Sequence, residues 1–430
     1  DPKVFEMLSA GHTIGVFQLE STGMTSVCTR LKPRGIEDIT AVIALYRPGP
    51  MDSIPRFIEC SAHPDKISYK HPLLKPILEV TYGCIVYQEQ VIEIFRRLAG
   101  FSLGQADMIR RAMSKKKHKV IDAERVAFVR GDPERGIAGA VANGVPEDTA
   151  NSIYDEILDF ASYAFNKAHA VSYAIVAYRT AYMKCRWPRE YMAALLTSVL
   201  DNSDKVAEYI AECREMGIKL MPPDVNESGP NFTVSGDDIR FGLVAIKGIG
   251  WGFINALVAE REQNGPFTDL DEFCRRMYGR DLNRRAVENL IKSGAFDSLG
   301  FRRKALMEVC GAVIDGVNQD NSKNIDGQLD LFGLAPDTDA PAVPKLRHLP
   351  DVEEYTPREK MIMEKETTGL YLSGHPMDDY REAVRAIGAV PIGAIKADFS
   401  QDGGPTRFAD NQYVTVAGVV QSARTRTTKS

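Results

Sequence analysis

The sequence predicts a multidomain, predominantly α protein whose last twenty residues open a β element. Three observations carry that reading. Residues up to about 220 show helical spacing punctuated by rigid turns such as Pro48-Gly49-Pro50, where two prolines fix φ around a permissive glycine. After a break at Leu220-Met221-Pro222-Pro223-Asp224, Gly-punctuated helical hairpins run to about residue 300. Tyr413-Val414-Thr415-Val416-Ala417-Gly418-Val419-Val420 then alternates as a strand does.

Within the first region, apolar residues at 171, 174, 175, 178, 181, 182 and 185 mark a helix with a buried stripe. Residues 317–344 are rich in Asn, Asp, Gly and Pro and poor in core formers, so they read as an exposed linker interrupted at 329–334. Residues 345–410 return to mixed composition. A strand that begins at 413 and has no partner does not complete a domain, and the chain starts without Met, so a piece of a longer protein is expected.

At 430 residues the chain has room for roughly two to four domains. No run approaches the roughly 20 apolar residues of a membrane span, and no signal peptide opens the chain. The seven cysteines include no Cys-x-x-Cys pair, which argues against zinc and disulfides and suits a reducing cytoplasm.

Formal net charge is −5, yet residues 96–119 hold eight Lys/Arg against the single Asp107. The centre reads Arg110-Arg111-Ala112-Met113-Ser114-Lys115-Lys116-Lys117. A block this dense either faces water or meets a polyanion. Two adjacent guanidinium forks favour phosphate oxygens over mere solubility.

Ile246-Lys247-Gly248-Ile249-Gly250, followed by a helix from Trp251, has the form of a helix-hairpin-helix turn. Its backbone N–H groups can hold a DNA phosphate without reading bases, which makes Lys247, Gly248 and Gly250 DNA-binding candidates. A second candidate turn is Leu290-Ile291-Lys292-Ser293-Gly294-Ala295-Phe296, preceded by Arg284-Arg285. In the linker, Gln328-Leu329-Asp330-Leu331-Phe332 strands apolar residues in polar surroundings. They either anchor in a partner's pocket or pack back on their own domain.

Asn166-Lys167-Ala168-His169 opens the helix around 171–185, and a helix N-terminus with Lys167 and His169 suits an anion. Read alone, His169 is a satisfied structural histidine sooner than a catalytic one. Phe17-Gln18-Leu19-Glu20-Ser21 and Tyr87-Gln88-Glu89-Gln90 read by themselves as capping and packing residues. No strand-borne carboxylate pair, His-rich metal cluster, nucleophile elbow or P-loop occurs, so the residues nominate neither a catalytic nor a metal site in this chain.

Taken in order, the motifs resemble those of the bacterial C-family replicative DNA polymerases, the DNA polymerase III alpha subunits. They are Gly15-Val16-Phe17-Gln18-Leu19-Glu20-Ser21, Tyr46-Arg47-Pro48-Gly49-Pro50, Thr81-Tyr82-Gly83, Tyr87-Gln88-Glu89-Gln90, Ala106-Asp107-Met108-Ile109-Arg110-Arg111-Ala112-Met113 and Tyr163-Ala164-Phe165-Asn166-Lys167-Ala168-His169. Further along come Pro222-Pro223-Asp224-Val225-Asn226, Ala245-Ile246-Lys247-Gly248-Ile249-Gly250 and Tyr371-Leu372-Ser373-Gly374-His375-Pro376. Each motif is weak alone; the ordered set is specific.

The resemblance implies polymerase fingers at 1–225, tandem helix-hairpin-helix units at 226–300 and a sliding-clamp-binding segment with linker at 301–345. A connecting region at 346–410 and the start of an oligonucleotide-binding (OB) barrel at 411–430 would follow. It implies contacts from Arg110, Arg111 and Lys167 to an incoming deoxynucleoside triphosphate, His169 near the sugar, and Lys115, Lys116 and Lys117 on template or primer phosphates. Gln328, Leu329, Asp330, Leu331 and Phe332 would be the clamp peptide, with Gln328, Leu331 and Phe332 as anchors. Expected partners are primer-template DNA, the sliding clamp (beta subunit) and other holoenzyme subunits, with no membrane. The palm aspartates that hold Mg²⁺ in this family precede the fingers, so the stretch alone is expected to be inactive. The competing reading is a non-catalytic DNA-binding and clamp-tethering module.

Overall fold

The computed structural model describes residues 1–47, 50–114, 118–161, 165–200, 202–323, 349–399 and 405–420. The expected contacts at Lys115, Lys116 and Lys117 and the expected clamp residues Gln328, Leu329, Asp330, Leu331 and Phe332 lie outside them. The protein is multidomain and mostly α, as expected. Two compact units are present, Asp1–Arg186 and Trp187–Phe399 with residues 405–420.

The first unit has two hydrophobic centres. One gathers around the helix Lys167–Arg186, which buries Ala170, Ala174, Ala177 and Ala181 against the apolar helix Ile36–Leu45. The expected stripe holds at Ala174 and Ala181 and is corrected at Ile175. Small alanines let two backbones approach closely, so the alanine line faces inward while Ile175 and Val176 are exposed. Tyr178, Tyr182 and Cys185 flank the contact half-buried. At the far end, Lys184 is buried and its Nζ donates to His12 O at 3.1 Å and Ile14 O at 2.8 Å. A buried ammonium is tolerated because backbone acceptors replace water.

The second centre is built on Gln88–Ala99, where Phe95 meets Phe101, Phe128 and Tyr154 at 5.3, 5.0 and 5.9 Å between ring centres. All three are edge-to-face, the arrangement that ring quadrupoles favour. Helices Leu103–Ser114, His118–Arg130 and Glu147–Ala161 complete it. Gln90 starts this group from a buried position. Its Oε1 accepts from Val86 N and Tyr87 N, and its Nε2 donates to Ile77 O and Thr81 Oγ1, so both ends of the amide are satisfied.

In the second unit, helices Pro188–Ser198 and Ser203–Glu215 precede a three-stranded sheet that the sequence reading did not foresee. Its order is β1-β3-β2, with β1 Leu220–Met221, β2 Thr233–Ser235 and β3 Asp238–Arg240. β1 pairs parallel and β2 antiparallel to β3. Helices Trp251–Asn264, Leu270–Arg276 and Arg284–Lys292 follow, packed around Phe273, whose ring lies 4.9 Å from Phe267 and 5.0 Å from Phe296.

Two expectations are corrected here. Around the second candidate turn, Gly294 N donates to Ile291 O and Ala295 N to Leu290 O, so these amides close the helix and are not offered to a phosphate. Residues 413–420 form no strand, because no ladder partner lies beside them among the described residues; their one backbone tie is Val390 N to Thr415 O at 2.8 Å.

Candidate functional site

Four separated segments of the first unit meet at the entrance of helix Lys167–Arg186. Tyr87 and Phe165 form an isolated parallel bridge, and Gln88 N donates to Phe165 O at 3.0 Å. Glu89 then reaches the first turn of the helix: its carboxylate accepts from Lys167 N at 3.0 and 3.2 Å and from Asn166 Nδ2 at 2.9 Å. Asn166 Oδ1 caps His169 N at 2.9 Å. The N-terminus expected to receive an external anion therefore already holds an internal one. Any ligand charge must be met by side chains.

Those side chains are present. Arg110 is mostly shielded and fixed on three sides, with Nε and Nη2 on Asp107 Oδ1 at 3.2 and 2.7 Å and Nη1 on Gln88 Oε1 at 3.2 Å. Arg111 is exposed and bonds Asp107 Oδ2 at 2.8 Å. The Arg110 hydrogen bond, aided by the charges of both arginines, holds the Asp107 carboxyl below its usual range despite the desolvation that opposes it. One carboxylate thus orients two guanidinium groups and leaves the trio with a single positive charge. Lys167 extends its ammonium to Glu37 at 3.3 Å and lies 5.3 Å from the Tyr87 ring centre. Tyr87 is buried, which pushes its hydroxyl well above the ordinary phenol range.

Aromatic rings continue from this point as a ladder. Phe165, His169, Tyr173 and Phe17 follow one another at 5.2, 4.3 and 5.4 Å between ring centres. The guanidinium of the exposed Arg47 stands 3.8 Å over Phe165. Next to Phe17, Gln18 takes φ +63°, a left-handed conformation uncommon for a side-chain-bearing residue. Such strain clusters where a loop must present a side chain. Arg47, Gln88 and Phe165 were quoted in the sequence motifs but not nominated as site residues. No local spacing could have nominated them, because the grouping comes from contacts across the fold.

In the second unit, Gly250 caps helix Trp251–Asn264 with extended backbone and no side-chain hydrogen bond, leaving first-turn amides without intrahelical partners. Gly248 has φ +76°, and a Cβ there would come within 3.1 Å of Asn289 Nδ2 and 3.2 Å of Arg285 Nε. Asn289 holds the turn by donating to Lys247 O at 2.7 Å. Arg285 and Lys247 are exposed beside it, and Arg285 has no ion-pair partner among the described residues. Arg285 is the cation that sequence reading attached to the wrong turn.

Among the described residues no group of three His, Cys, Asp or Glu side chains could hold a metal ion. The donors present among the described residues therefore do not fit a resident Mg²⁺. No described helix is long and apolar enough to cross a membrane.

A helical, cation-bearing face in one unit and a helix-hairpin-helix turn in the other define a class of nucleic-acid-handling proteins. Residues 1–136 match the bacterial DNA polymerase III alpha subunit finger domain, and residues 217–306 the helix-hairpin-helix motif. The chain is 43% identical over 388 residues to DNA polymerase III subunit alpha of Thermus aquaticus, covering 88% of this chain and 30% of that protein. It is 44% identical over 392 residues to the Bacillus subtilis subunit (91% and 34%) and 40% identical over 444 residues to that of Mycobacterium tuberculosis H37Rv (100% and 36%). The chain belongs to the DNA polymerase III alpha subunit family and spans about a third of the length of the curated relatives it matches.

Proposed function

We propose that this chain supplies the fingers and a DNA-gripping hairpin to a DNA-directed DNA polymerase, and that Arg110, Arg111 and Lys167 face the triphosphate of an incoming deoxynucleotide. The observation that carries the reading is the junction at Gln88-Glu89, which links Arg110 to Lys167 and His169 beside an aromatic ladder half-buried at Phe165 and Tyr173. Fixed guanidinium groups match phosphate oxygens, and their prior fixation lowers the entropy lost on binding. His169, edge-on to Phe165 and tilted against Tyr173, would meet the sugar.

The chemistry would be attack of a primer 3′-OH on the α-phosphate, with the pyrophosphate leaving. This chain's part is orientation and charge stabilisation. The carboxylates that hold Mg²⁺ would come from the preceding palm. The hairpin residues Lys247, Gly248 and Gly250, joined by Arg285, would hold a backbone phosphate. Lys115, Lys116 and Lys117 would add salt-dependent contacts to template or primer. The domain scheme, the tether through Gln328, Leu331 and Phe332 to a sliding clamp, and the cytoplasmic holoenzyme setting belong to the same reading.

Two assays test it. Binding of a deoxynucleoside triphosphate to the polymerase on a terminated primer-template should weaken at least about tenfold in Arg110→Ala, the cost of a lost charge-assisted hydrogen bond. Unchanged nucleotide affinity would remove the assignment. Clamp binding should be lost in Leu331→Ala/Phe332→Ala and retained in Arg110→Ala; the opposite pattern would remove the tether.

A further inference from the structure

A second cationic cavity lies in the second unit, apart from the hairpin turn. It measures about 220 Å³, room for several waters at about 30 Å³ each. Its walls come from helix Ser203–Glu215, the end of helix Pro357–Thr368 and residues 370–375. Arg214, Lys365 and His375 all line it, together with Tyr371, and none of the lining side chains is a carboxylate.

The acids nearby are committed elsewhere. Asp378 accepts from His375 N at 2.8 Å and pairs with Arg381 at 2.7 Å. Glu366 faces Lys292, and Glu208 faces Lys205. Arg214 is exposed, and its guanidinium has no hydrogen-bond or ion-pair partner among the described residues. Lys365 is half-buried, 5.3 Å from the Tyr371 ring centre. Its ammonium donates to Gly369 O at 2.6 Å, which leaves further N–H groups for a ligand. His375 Nδ1 accepts from Met377 N at 3.1 Å, which leaves Nε2 as the nitrogen that carries a proton and can donate.

The wall that carries His375 is built to hold its shape. Glu364 is almost fully buried, and its Oε2 accepts from Leu372 N, Ser373 N and Ser373 Oγ at 2.9, 2.9 and 3.0 Å. Its Oε1 accepts from the buried Arg303 at 3.1 Å. The loop is thus pinned from below while its cationic side stays open. An ammonium, a guanidinium and an imidazole N–H in one small cavity without a counter-charge form a receptor for a compact, multiply charged oxyanion.

We propose that this cavity binds a phosphoryl group. Two sources share that chemistry, a free phosphoanion such as pyrophosphate and a phosphodiester of a nucleic-acid backbone. Only the second rests on the polymerase reading.

The test uses the full polymerase chain carrying Arg110→Ala/Arg111→Ala, so that the fingers cations do not contribute. Pyrophosphate is titrated calorimetrically into this protein and into versions that also carry Arg214→Gln or Lys365→Met. Affinity weakened at least about tenfold by either added change supports a free-anion site. If pyrophosphate does not distinguish the proteins, the salt dependence of duplex binding does. A slope reduced by about one unit in Arg214→Gln, but not in the control Arg302→Gln, supports a backbone phosphate. The absence of both effects overturns the proposal. Arg214 is exposed and makes no contact that folding needs, so its variant keeps the test decisive even if Lys365→Met fails to fold.

Discussion

Gln88 accepts from Arg110 Nη1 through its side chain at 3.2 Å and donates its backbone N–H to Phe165 O at 3.0 Å. One residue therefore ties the arginine helix to the base of the aromatic ladder. In Gln88→Leu, Arg110 keeps Asp107 but loses the bond that holds its Nη1. Stability should fall by about 0.5–1.5 kcal/mol, read from a urea midpoint. The nucleotide KM should rise while DNA affinity stays as it was. A KM equal to wild type would mean that Gln88 does not orient the arginine.

Lys184 tests how the Phe17 loop is held. Lys184→Met keeps the length and removes the donor that serves His12 O and Ile14 O. Leaving these part-buried carbonyls without their donor should cost about 1–2 kcal/mol. Chemical denaturation measures it. A neutral variant would show that water replaces the ammonium.

Glu354 gives the second unit a pH dependence. Its carboxylate accepts from Arg303 N at 3.0 Å and Lys304 N at 3.2 Å, capping helix Arg303–Lys323, and pairs with Lys360 at 3.0 Å. Burial alone would raise its pKa, but the Lys360 hydrogen bond and the amides of Tyr355, Lys304 and Arg303 outweigh it, pulling the group from 4.5 to about 2. Because the folded value is the lower one, the stabilisation is full above the unfolded carboxylate range and disappears as pH falls from about 5 towards 2. With partial exposure taken into account, on the order of 2 kcal/mol is at stake. Glu354→Gln should flatten that part of the acid-denaturation curve, and an unchanged curve would refute the assignment.

The two hairpin glycines separate backbone strain from ligand approach. A Cβ at Gly250 meets nothing within 4 Å, so Gly250→Ala should leave the unfolding free energy within about 0.5 kcal/mol of wild type while weakening DNA binding. Gly248→Ala combines φ +76° with crowding by Asn289 and Arg285 and should cost about 1 kcal/mol or more. Equal effects of the two on stability would contradict this geometry.

The helical character and the Gly248-Ile249-Gly250 turn were legible in the sequence because both write themselves in local spacing. Gln90 was legible as a packing and capping residue for the same reason. The alanine face of Lys167–Arg186 was legible in part: Ala174 and Ala181 stood in the expected stripe, whereas Ala170 and Ala177 did not, and Ile175 was counted in it although it is exposed. Strands of two and three residues are too short for alternation to show, so β1, β2 and β3 went unseen. The partners that define the sites are distant in sequence. Glu89 lies 78 residues from Lys167, and Asn289 lies 42 from Lys247. Only the fold shows that an internal carboxylate fills the helix entrance or that Arg285 belongs to the first turn.

The most direct test is single-nucleotide incorporation by the whole polymerase carrying Arg110→Ala/Arg111→Ala, with primer-template affinity measured in parallel. If these guanidinium groups face the triphosphate, incorporation falls at least about a hundredfold, the scale of losing a fixed oxyanion donor, while DNA affinity is largely retained. Incorporation that is unchanged, or that falls only in step with DNA affinity, would make the pair a duplex grip and contradict the account.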